Sequence, residues 1–384
     1  MEVNELLKII EKGEDSLHQF KSNITNPESL ASELVAFSNA LGGMIIIGVD
    51  DFCKISGLTS DDVQRINQMI SNVSSQHIHP PINPFTENIL TDQGHVLIVN
   101  IQAGLNKPYQ DKNSIFWVKF GSDKRKTNSR EELQRMFQES NIIHADAMPV
   151  DNTSIEDINI DYFKKFYLKK FEDTLELNDV NLEKLLENMN LMKNGKLSIA
   201  GVLLFAKNPE FKLPLFIVNA IYYNSNEVSD DEYNDNKNIE GNLQDVFRET
   251  VKFIRSNLHY IQGGQSVNSI GIPEIPLIAV EEIVANALIH RNYFISSSIK
   301  VFIFRNRVEV ISPGHLPNQL TIENIKNGNS NPRNPILSSY GNYLITYRGV
   351  GTGIIRALKS YPHIDFIDDR QGNLFKVIFK RITP

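Results

Sequence analysis

The sequence has little cysteine, no long apolar run and no excess of positive charge. Cys53 is its single cysteine, which excludes an intramolecular disulfide and a zinc site built on several cysteines. The apolar stretches, such as residues 44–49, are far shorter than the roughly 18–20 residues needed to span a bilayer. A net charge of −7 over 384 residues argues against a protein that coats nucleic acid through bulk charge. No Gly-x-x-x-x-Gly-Lys-Ser/Thr sequence occurs, which excludes a P-loop NTPase.

The composition that remains is that of a globular protein with two or three domains. Hydrophobic residues make up 41% of the chain and charged residues 22%, close to the globular average. Glu2 and Glu5 precede the first apolar run, which is not the pattern of a signal peptide, so we expect a cytoplasmic protein without a membrane partner. The pattern predicts an α+β fold, with a first domain at residues 1–140, a linker at 141–157, a middle connecting segment at 158–240 and a second domain at 241–384.

Helical and strand patterns alternate along the chain. In the first domain we predict helices at about 6–12 and 27–41 and from residues 60 and 129, with strands at 44–49, 85–90, 96–101 and 114–120. In the middle segment we predict strands at 200–205 and 214–223 and an exposed acidic loop at 227–235. In the second domain we predict helices near 242–258, 277–290 and 353–359, strands near 298–304, 308–311 and 375–380, and a long loop before residue 353.

The sharpest motif lies on the predicted helix at 277–290. Glu282, Asn286 and His290 are spaced four residues apart, so they line one side of that helix. An amide oxygen is a neutral hard ligand for Mg²⁺, and a carboxylate can orient or deprotonate a water molecule beside it. A solvated helix face explains the same spacing, and the helix alone does not decide between the two.

Two glycine-containing segments follow this helix. Residues 311–317 read Ile-Ser-Pro-Gly-His-Leu-Pro after a predicted strand, and residues 348–354 read Arg-Gly-Val-Gly-Thr-Gly-Ile at the start of a predicted helix. Glycines at a helix start let backbone N–H groups approach phosphate oxygens, and the helix dipole favours an anion there. Taken alone, Gly-x-Gly-x-Gly is also typical of a tight turn.

In this order the motifs resemble the GHKL or Bergerat ATP-binding fold, in the divergent form of bacterial proteins labelled RecG-like or transcriptional regulators. The resemblance covers about residues 241–384 and runs through 273–276, 282–286, 290–293, 312–314, 333–335 and 349–353. It implies an α/β sandwich that binds ATP and Mg²⁺. Because GHKL and AlbA-type domains both commonly pair, a homodimer is a further expectation by analogy.

The resemblance also assigns roles by position. It implies Glu282 as the base that activates water, Asn286 as the Mg²⁺ ligand, His290 in a supporting position, and a mobile lid at 318–334. One departure is Ser312, because GHKL enzymes carry an aspartate in this region that reads the adenine amino group, and a hydroxyl accepts that hydrogen bond less strongly. Two alternatives therefore remain: the domain only binds ATP, or it also hydrolyses ATP as a weak ATPase. The implied nucleotide-binding residues are Ser312, Gly314, Arg333, Gly349, Gly351, Thr352 and Gly353.

Residues about 12–137 resemble the AlbA-type domain shared with Schlafen proteins, through the stretches 14–21, 36–43, 47–51, 107–108 and 120–122. In nucleolytic Schlafens, two glutamates five residues apart and a later aspartate form a metal-dependent RNA-cutting centre. Glu14 matches the first glutamate, and Asp50 or Asp51 the aspartate, but the second position is Gln19, which carries no charge. We therefore expect nucleic-acid binding ahead of ribonuclease activity; the simpler reading of these acids is a surface carboxylate and a turn.

A basic stretch lies between residues 107 and 130. Seven basic residues there face two acidic ones, a local net charge of +5. Basic side chains neutralise phosphates, and aromatic side chains such as Trp117 and Phe120 can stack on unpaired bases. A solvated hairpin whose aromatic side chains face the core is the alternative. The predicted phosphate contacts are Lys107, Lys119, Lys124, Arg125, Lys126 and Arg130.

Three functions are compatible with these motifs. The first, which we favour, is a cytoplasmic transcriptional regulator that binds DNA or RNA through the N-terminal domain and ATP with Mg²⁺ through the C-terminal domain, with the nucleotide biasing the conformation. The second is a Schlafen-like, metal-dependent endoribonuclease in defence or stress. The third is a non-catalytic interaction protein whose ATP-binding fold has decayed.

Overall fold

The computed structural model describes residues 1–127, 129–140, 142–175, 181–228, 232–261, 271–317, 320–349 and 351–381. The chain divides into two units, Met1–Ile143 and His144–Pro384, and each combines helices with strands. The predicted α+β class is therefore confirmed. In the part of the chain that is described, no helix is both long and apolar enough to reach across a bilayer.

The first unit is a layered α/β domain. Its helices are α1 (Val3–Lys12), α2 (Pro27–Asn39), α3 (Ser60–Asn72) and α4 (Arg130–Glu139). Its strands are β1 (His18–Lys21), β2 (Gly42–Ile47), β3 (Ile78–His79), β4 (Phe85–Thr91), β5 (Gly94–Gln102), β6 (Gln110–Asp111), β7 (Trp117–Phe120) and β8 (Asp123–Lys126). The main sheet has the order β1-β2-β5-β4, with β1 parallel to β2 and the other pairs antiparallel, and β7 and β8 form a separate hairpin.

Strand β2 is the continuous apolar run of the sequence, and it is buried on both faces. Ile45 packs into a core with Leu34 and Phe37 of α2. Ile46 belongs to a second core that contains Leu6 of α1. Because successive side chains of a strand point to opposite faces, helices cover both sides of this sheet.

The second unit is built on a six-stranded sheet. Its helices are α5 (Ile160–Phe171), α6 (Leu182–Asn188), α7 (Ile199–Phe205), α8 (Pro209–Lys212), α9 (Leu243–Ser256), α10 (Leu277–His290), α11 (Ile322–Lys326), α12 (Pro335–Leu344) and α13 (Gly353–Ser360). Its strands are β9 (Met192–Lys193), β10 (Lys196–Leu197), β11 (Val218–Tyr223), β12 (Tyr233–Ile239), β13 (Tyr260–Ile261), β14 (Ile272–Pro273), β15 (Ile299–Ile303), β16 (Arg307–Pro313), β17 (Ile364–Asp369) and β18 (Leu374–Lys380).

The large sheet has the order β12-β11-β15-β16-β18-β17. Only the β11–β15 pair is parallel; the other pairs are antiparallel. Helix α10 packs against α9, α13 and β16, which places its polar side beside the start of α13. Two of the six strands, β11 and β12, come from residues 158–240, so the sheet extends into the segment that the sequence analysis treats as a connection. The division into linker, middle segment and C-terminal domain stays a prediction.

Three local predictions differ from the structure. Residues 199–205 form a helix and not a strand, because Ser198 caps it by accepting a hydrogen bond from the N–H of Gly201 at 3.1 Å. A short apolar run buried all round fits either structure, so periodicity could not decide. The predicted long loop before residue 353 contains α11 and α12, and β17 was not predicted. The acidic loop predicted at 227–235 runs into strand β12, which begins at Tyr233, and its residues 229–231 lie outside the described residues.

Candidate functional site

A pocket in the second unit opens between α10, the end of β16 and the start of α13. Its wall combines polar groups from α10 with apolar side chains from the sheet and from the segment after β16, including Val310, Leu316 and Phe375. The predicted site residues that line this pocket are Glu282, Asn286, His290, Ser312, Gly314, Gly349, Gly351, Thr352 and Gly353. Residues far apart in sequence are thus brought together in one pocket.

Glu282 lies at the bottom of the polar side of the pocket and is only 1% exposed. Its Oε1 accepts a hydrogen bond from Nη2 of Arg356 on α13 at 2.6 Å, which makes the two an ion pair. Loss of water around the carboxylate raises the pKa of Glu282, while the positive charges of Arg356 and Arg348 act in the opposite direction. The net effect is a raised pKa, so this buried carboxylate holds a proton more readily than an exposed one, although Arg356 occupies one of its oxygens.

Asn286 is one helical turn after Glu282, and its amide orientation is fixed by a hydrogen bond. Its Nδ2 donates to the backbone carbonyl oxygen of Glu282 at 2.8 Å. Because a carbonyl only accepts, the amide must present its nitrogen there, which leaves Oδ1 for a cation. A Cβ built on Gly353 would lie 2.7 Å from Glu282 Oε2 and 3.1 Å from Asn286 Nδ2. Only glycine lets the start of α13 approach these two side chains so closely.

The glycine segment before α13 lies tightly against the predicted lid. Gly351 has a φ of +74°, in the left-handed region that favours glycine. A Cβ on Gly351 would lie 2.2 Å from the carbonyl oxygen of Gly328. Asn329 and Asn331 of the same lid line the pocket. The described part of the lid, residues 320–334, therefore closes one side of the site.

His290 supports the glycine segment from behind. Its Nε2 is 3.0 Å from the hydroxyl of Tyr347, which directly precedes Arg348 and the glycines. Burial, with a smaller contribution from the positive charge of Arg333, lowers the pKa of His290 to about 4. The imidazole is therefore neutral at pH 7, and its contact with Tyr347 fits a positioning role better than proton transfer.

Ser312 stands where the resemblance implies an aspartate. It is buried, and its hydroxyl donates to the carbonyl oxygen of Ala287 at 3.3 Å. With the proton directed to that carbonyl, the oxygen lone pairs remain able to accept a hydrogen bond from a ligand. The surrounding wall is apolar, as suits a planar base. The apolar lining residues are Ile283, Ala287, Val310, Leu316, Leu320, Ile325, Ile354, Phe375 and Val377.

Arg333 is placed behind the pocket and not among its lining residues. Its Nη2 donates to the carbonyl oxygen of His315 at 2.5 Å, and a Cβ on Gly314 would lie 2.6 Å from its Nη1. The side chain is 7% exposed. Arg333 therefore holds the segment after β16, which differs from the direct nucleotide contact that the resemblance implies.

The pocket residues that the sequence analysis missed include Tyr347, Arg348 and Arg356. Arg356 had a readable signal, because it comes three residues after Gly353 and so returns to the same side of the helix. Tyr347 precedes the glycines without a motif of its own. Its role becomes visible only through the contact with His290.

The glycines, the two arginines and the amide of Asn286 fit a nucleotide phosphate group with its cation. Backbone N–H groups at a helix start favour anions, and α13 begins at the glycines. The cation site would rest on Asn286 Oδ1 and on phosphate oxygens. Across the residues that the structure describes, no group of three or more His, Cys, Asp or Glu side chains is arranged to hold a metal by itself.

In the first unit, Glu14 and Gln19 form part of a closed hydrogen-bond network. Glu14 Oε1 accepts from Gln19 Nε2 and from the N–H of Phe20, both at 2.6 Å. The side-chain oxygen of Gln19 accepts from Lys119 Nζ at 2.9 Å. Gln19 thus bridges a carboxylate and an ammonium, using both ends of an amide that a glutamate could not replace. This explains the neutral residue at that position.

The structure does not gather Glu14, Asp50 and Asp51 into a metal cluster. Asp50 lies after β2 and accepts from the N–H groups of Phe52 and Lys54, so it closes a turn. Asp51 is exposed. Asp50 and Asp51 therefore form the turn that the sequence analysis gave as the simpler interpretation. Their arrangement does not support the ribonuclease hypothesis.

Most of the basic residues between 107 and 130 are bound within the first unit. Lys107 Nζ donates to the carbonyl oxygen of Ala40. Lys119 donates to Gln19 and lies 4.6 Å from the ring centre of Phe37, and its burial lowers its pKa. Three ion pairs neutralise the stretch from outside it: Lys112–Glu28, Lys124–Glu33 and Arg125–Glu132, at 2.9, 2.8 and 2.7 Å.

Three of the predicted phosphate contacts are exposed, and one of them, Arg125, is paired with Glu132. Lys126 is exposed and lies 5.3 Å from the ring centre of Trp117, and Arg130 is exposed at the start of α4. Trp117 is partly buried, packs on the core of α2, and donates its indole N–H to Asp111. Phe120 is 69% exposed at the tip of the hairpin. The aromatic side chain available for stacking is Phe120 and not Trp117.

Three family models match separate parts of the chain. Residues 14–128 match the family described as Schlafen, AlbA_2. Residues 134–215 match a domain of unknown function, DUF8451. Residues 296–378 match the family described as ATP-dependent DNA helicase recG C-terminal. That last match begins after α10, so it does not include Glu282, Asn286 or His290.

A solved structure, the DIP2311 protein from Corynebacterium diphtheriae, is similar to the chain with 19% identity and a TM-score of 0.46. The similarity covers 96% of this chain, which spans 65% of the length of that protein. No curated protein matches the chain. The family matches show that the chain combines a Schlafen AlbA_2-type domain at its N-terminus with a RecG C-terminal, HATPase-type domain at its C-terminus.

Proposed function

We propose that the protein is a regulator that binds ATP with Mg²⁺ in the pocket of the second unit and DNA or RNA through the first unit. The observation that carries this proposal is the contact of the glycine start of α13 with Glu282 and Asn286. A helix start without side chains, next to a carboxylate and an amide, suits a phosphate group and its cation. The HATPase-type and AlbA_2-type matches support both halves of the proposal.

Each pocket residue has a role that follows from its contacts. The N–H groups at Gly349, Gly351 and Gly353 bind phosphate oxygens. Asn286 Oδ1 binds the cation, which supplies charge neutralisation to the phosphates when it is present. The apolar wall takes the base, and the hydroxyl of Ser312 accepts a hydrogen bond from it. His290 holds Tyr347 and, through it, the beginning of the glycine segment.

Nucleic-acid binding in this proposal rests on a smaller surface than the sequence indicates. Lys126, Arg130 and Phe120 face solvent on or next to the β7–β8 hairpin. The exposed cations bind phosphates, and the ring stacks on an unpaired base. The bound lysines and Arg125 position the hairpin. ATP would change the affinity for nucleic acid only if the protein has two conformations that differ in their affinity for ATP. The size of that difference limits the size of the change.

The decisive experiment is calorimetric titration with ATP, in Mg²⁺ and in EDTA. Wild type should bind ATP more tightly with Mg²⁺, and Asn286→Ala should lose about tenfold or more of that affinity, about 1.4 kcal/mol, only when Mg²⁺ is present. Glu281→Gln, at the neighbouring position of α10 and outside the pocket lining, is the matched control and should bind like wild type. If wild type binds no ATP, the proposal is wrong and the non-catalytic interaction protein is favoured.

A further inference from the structure

The ion pair between Glu282 and Arg356 is the most tightly held charged contact in the pocket. Arg356 Nη2 donates to Glu282 Oε1 at 2.6 Å, and the side chains are 22% and 2% exposed. Both residues line the cavity. The carboxylate that the resemblance assigns to water activation is therefore neutralised by an arginine.

Arg356 uses its donors incompletely, unlike Arg381 of the same unit, and shares this feature with the buried Arg291. Its Nε is buried and, within the described residues, has no hydrogen-bond partner. In contrast, Arg381 donates to Glu274 from Nε at 2.9 Å and from Nη2 at 2.6 Å, and to the carbonyl oxygen of Phe304 at 2.7 Å. A buried donor left unpaired costs free energy, so Arg356 would gain from an additional acceptor.

The pocket also carries more positive than negative charge around this pair. Arg348 and Arg356 line it together with a single carboxylate, Glu282. Arg356 lies in the first turn of α13, and its N–H donates to the carbonyl oxygen of Thr352. The side chain is thus one helical turn from the glycines. An acceptor that fits this place is anionic and offers several oxygens in a plane or a tetrahedron, as phosphate does.

We propose that Arg356 recognises the terminal phosphate of the bound nucleotide by exchanging partners. Without nucleotide its guanidinium neutralises Glu282. With a nucleoside triphosphate it binds the terminal phosphate oxygens, and Glu282 is released to face the cation site and its water. A diphosphate does not reach Arg356 and leaves the ion pair in place. This inference rests on the proposed nucleotide binding and adds how the site distinguishes its ligands.

The exchange has a signature that a merely structural ion pair lacks. Because Glu282 competes with the phosphate for Arg356, removing the charge of Glu282 should strengthen triphosphate binding. Removing Arg356 should weaken it. A residue that only holds α13 in place would lower affinity for every nucleotide to the same extent, whichever partner is changed.

The test is calorimetric binding of ADP and of a non-hydrolysable ATP analogue, both with Mg²⁺. Wild type should prefer the triphosphate about tenfold or more, which is about 1.4 kcal/mol. Glu282→Gln should bind the triphosphate more tightly than wild type and so raise the preference for the triphosphate over ADP. The double variant Glu282→Gln/Arg356→Met, which leaves no unpaired carboxylate, should lose the preference. Lys359→Met removes an exposed cation from the same helix and should change neither affinity.

Two results separate the possible failures. If wild type binds the triphosphate and the diphosphate equally, or if the double variant loses the same factor for both, Arg356 does not recognise the terminal phosphate, although the pocket is a nucleotide site. If wild type binds neither nucleotide, the proposed function fails first and this inference fails with it. Circular dichroism of each variant shows whether a loss of binding reflects loss of folding.

Discussion

The hairpin of the first unit and the pocket of the second unit both contain cations beside a candidate ligand surface; the sequence analysis assigned those of the hairpin to a ligand, whereas Arg356 of the pocket was not predicted. In the hairpin, Lys124 binds Glu33 and Arg125 binds Glu132, so those cations are used within the fold. In the pocket, Arg356 holds Glu282 but keeps a buried Nε without a partner in the described structure. The difference teaches that partners, rather than residue types, separate a structural cation from one that can bind a ligand.

The comparison also shows why local net charge misleads. The stretch 107–130 carries +5 by its own sequence, yet Glu28, Glu33 and Glu132 neutralise three of its cations from α2 and α4. These acids are distant or just beyond the stretch in sequence and adjacent in space. A sum along the chain counts charges, whereas nucleic acid meets only those that remain exposed.

The largest effect is expected when a cation that we describe as structural is removed. Lys124→Met leaves Glu33, whose side chain is 8% exposed, without its cation, and we expect a loss of about 3 kcal/mol of unfolding free energy. Denaturant unfolding measures the change. Lys126→Met removes an exposed cation from the same strand and should cost far less. Equal stability of the two variants would show that the Lys124–Glu33 pair does not stabilise the hairpin.

A second test concerns a buried carboxylate of the second unit that forms no ion pair with a lysine or arginine in the described part of the chain. Asp146 accepts from the N–H groups of Ile336 and Leu337 at the start of α12, and its burial raises its pKa from 3.8 to about 6. The folded protein therefore binds a proton more readily than the unfolded chain, and stability falls as pH rises through this interval. The shift of about two units corresponds to about 3 kcal/mol.

Asp146→Asn keeps an acceptor oxygen and removes the charge. As pH rises from about 4 to about 7, the unfolding free energy of the variant should increase relative to that of wild type. This interval is set by the pKa of Asp146 in the unfolded chain, 3.8, and in the folded protein, about 6. Urea unfolding across this range measures the difference. Asp151→Asn, at an exposed acid whose pKa the neighbouring Lys196 lowers, is the control and should show no gain in that range. If the difference in unfolding free energy between Asp146→Asn and wild type does not change with pH, the pKa of Asp146 is not raised in the folded protein.

A smaller effect is expected for nucleic-acid binding by the exposed cations on and next to the hairpin. Lys126→Ala/Arg130→Ala should weaken nucleic-acid binding about tenfold at low salt and lower the slope of log affinity against log salt by about 1.5, since two phosphate contacts are lost. Fluorescence anisotropy over a salt series measures both. Lys112→Ala, whose cation is paired with Glu28, should leave the slope close to wild type. Loss of slope from Lys112→Ala alone would mean that the ion pairs open on binding.

The sequence carried much of the fold and most of the pocket, for identifiable reasons. The apolar run of β2, the Asn26 cap of α2 and the spacing of Glu282, Asn286 and His290 are local signals that tertiary structure preserves. The same sequence could not show that Arg356 reaches Glu282, that Lys124 reaches Glu33, or that Ser198 turns residues 199–205 into a helix. Those outcomes depend on contacts between distant segments or on a competition between two local structures.

The close approach of Gly351 to Gly328 limits how motion of the lid can be measured. Where a Cβ of Gly351 would lie, the carbonyl oxygen of Gly328 stands 2.2 Å away, so the lid atom closest to this position is a backbone atom. A dye or a spin label attached through a new side chain at Gly351 would force the two segments apart. Opening of the lid is therefore best followed by amide hydrogen exchange at these two positions, which leaves the contact intact while reporting on it.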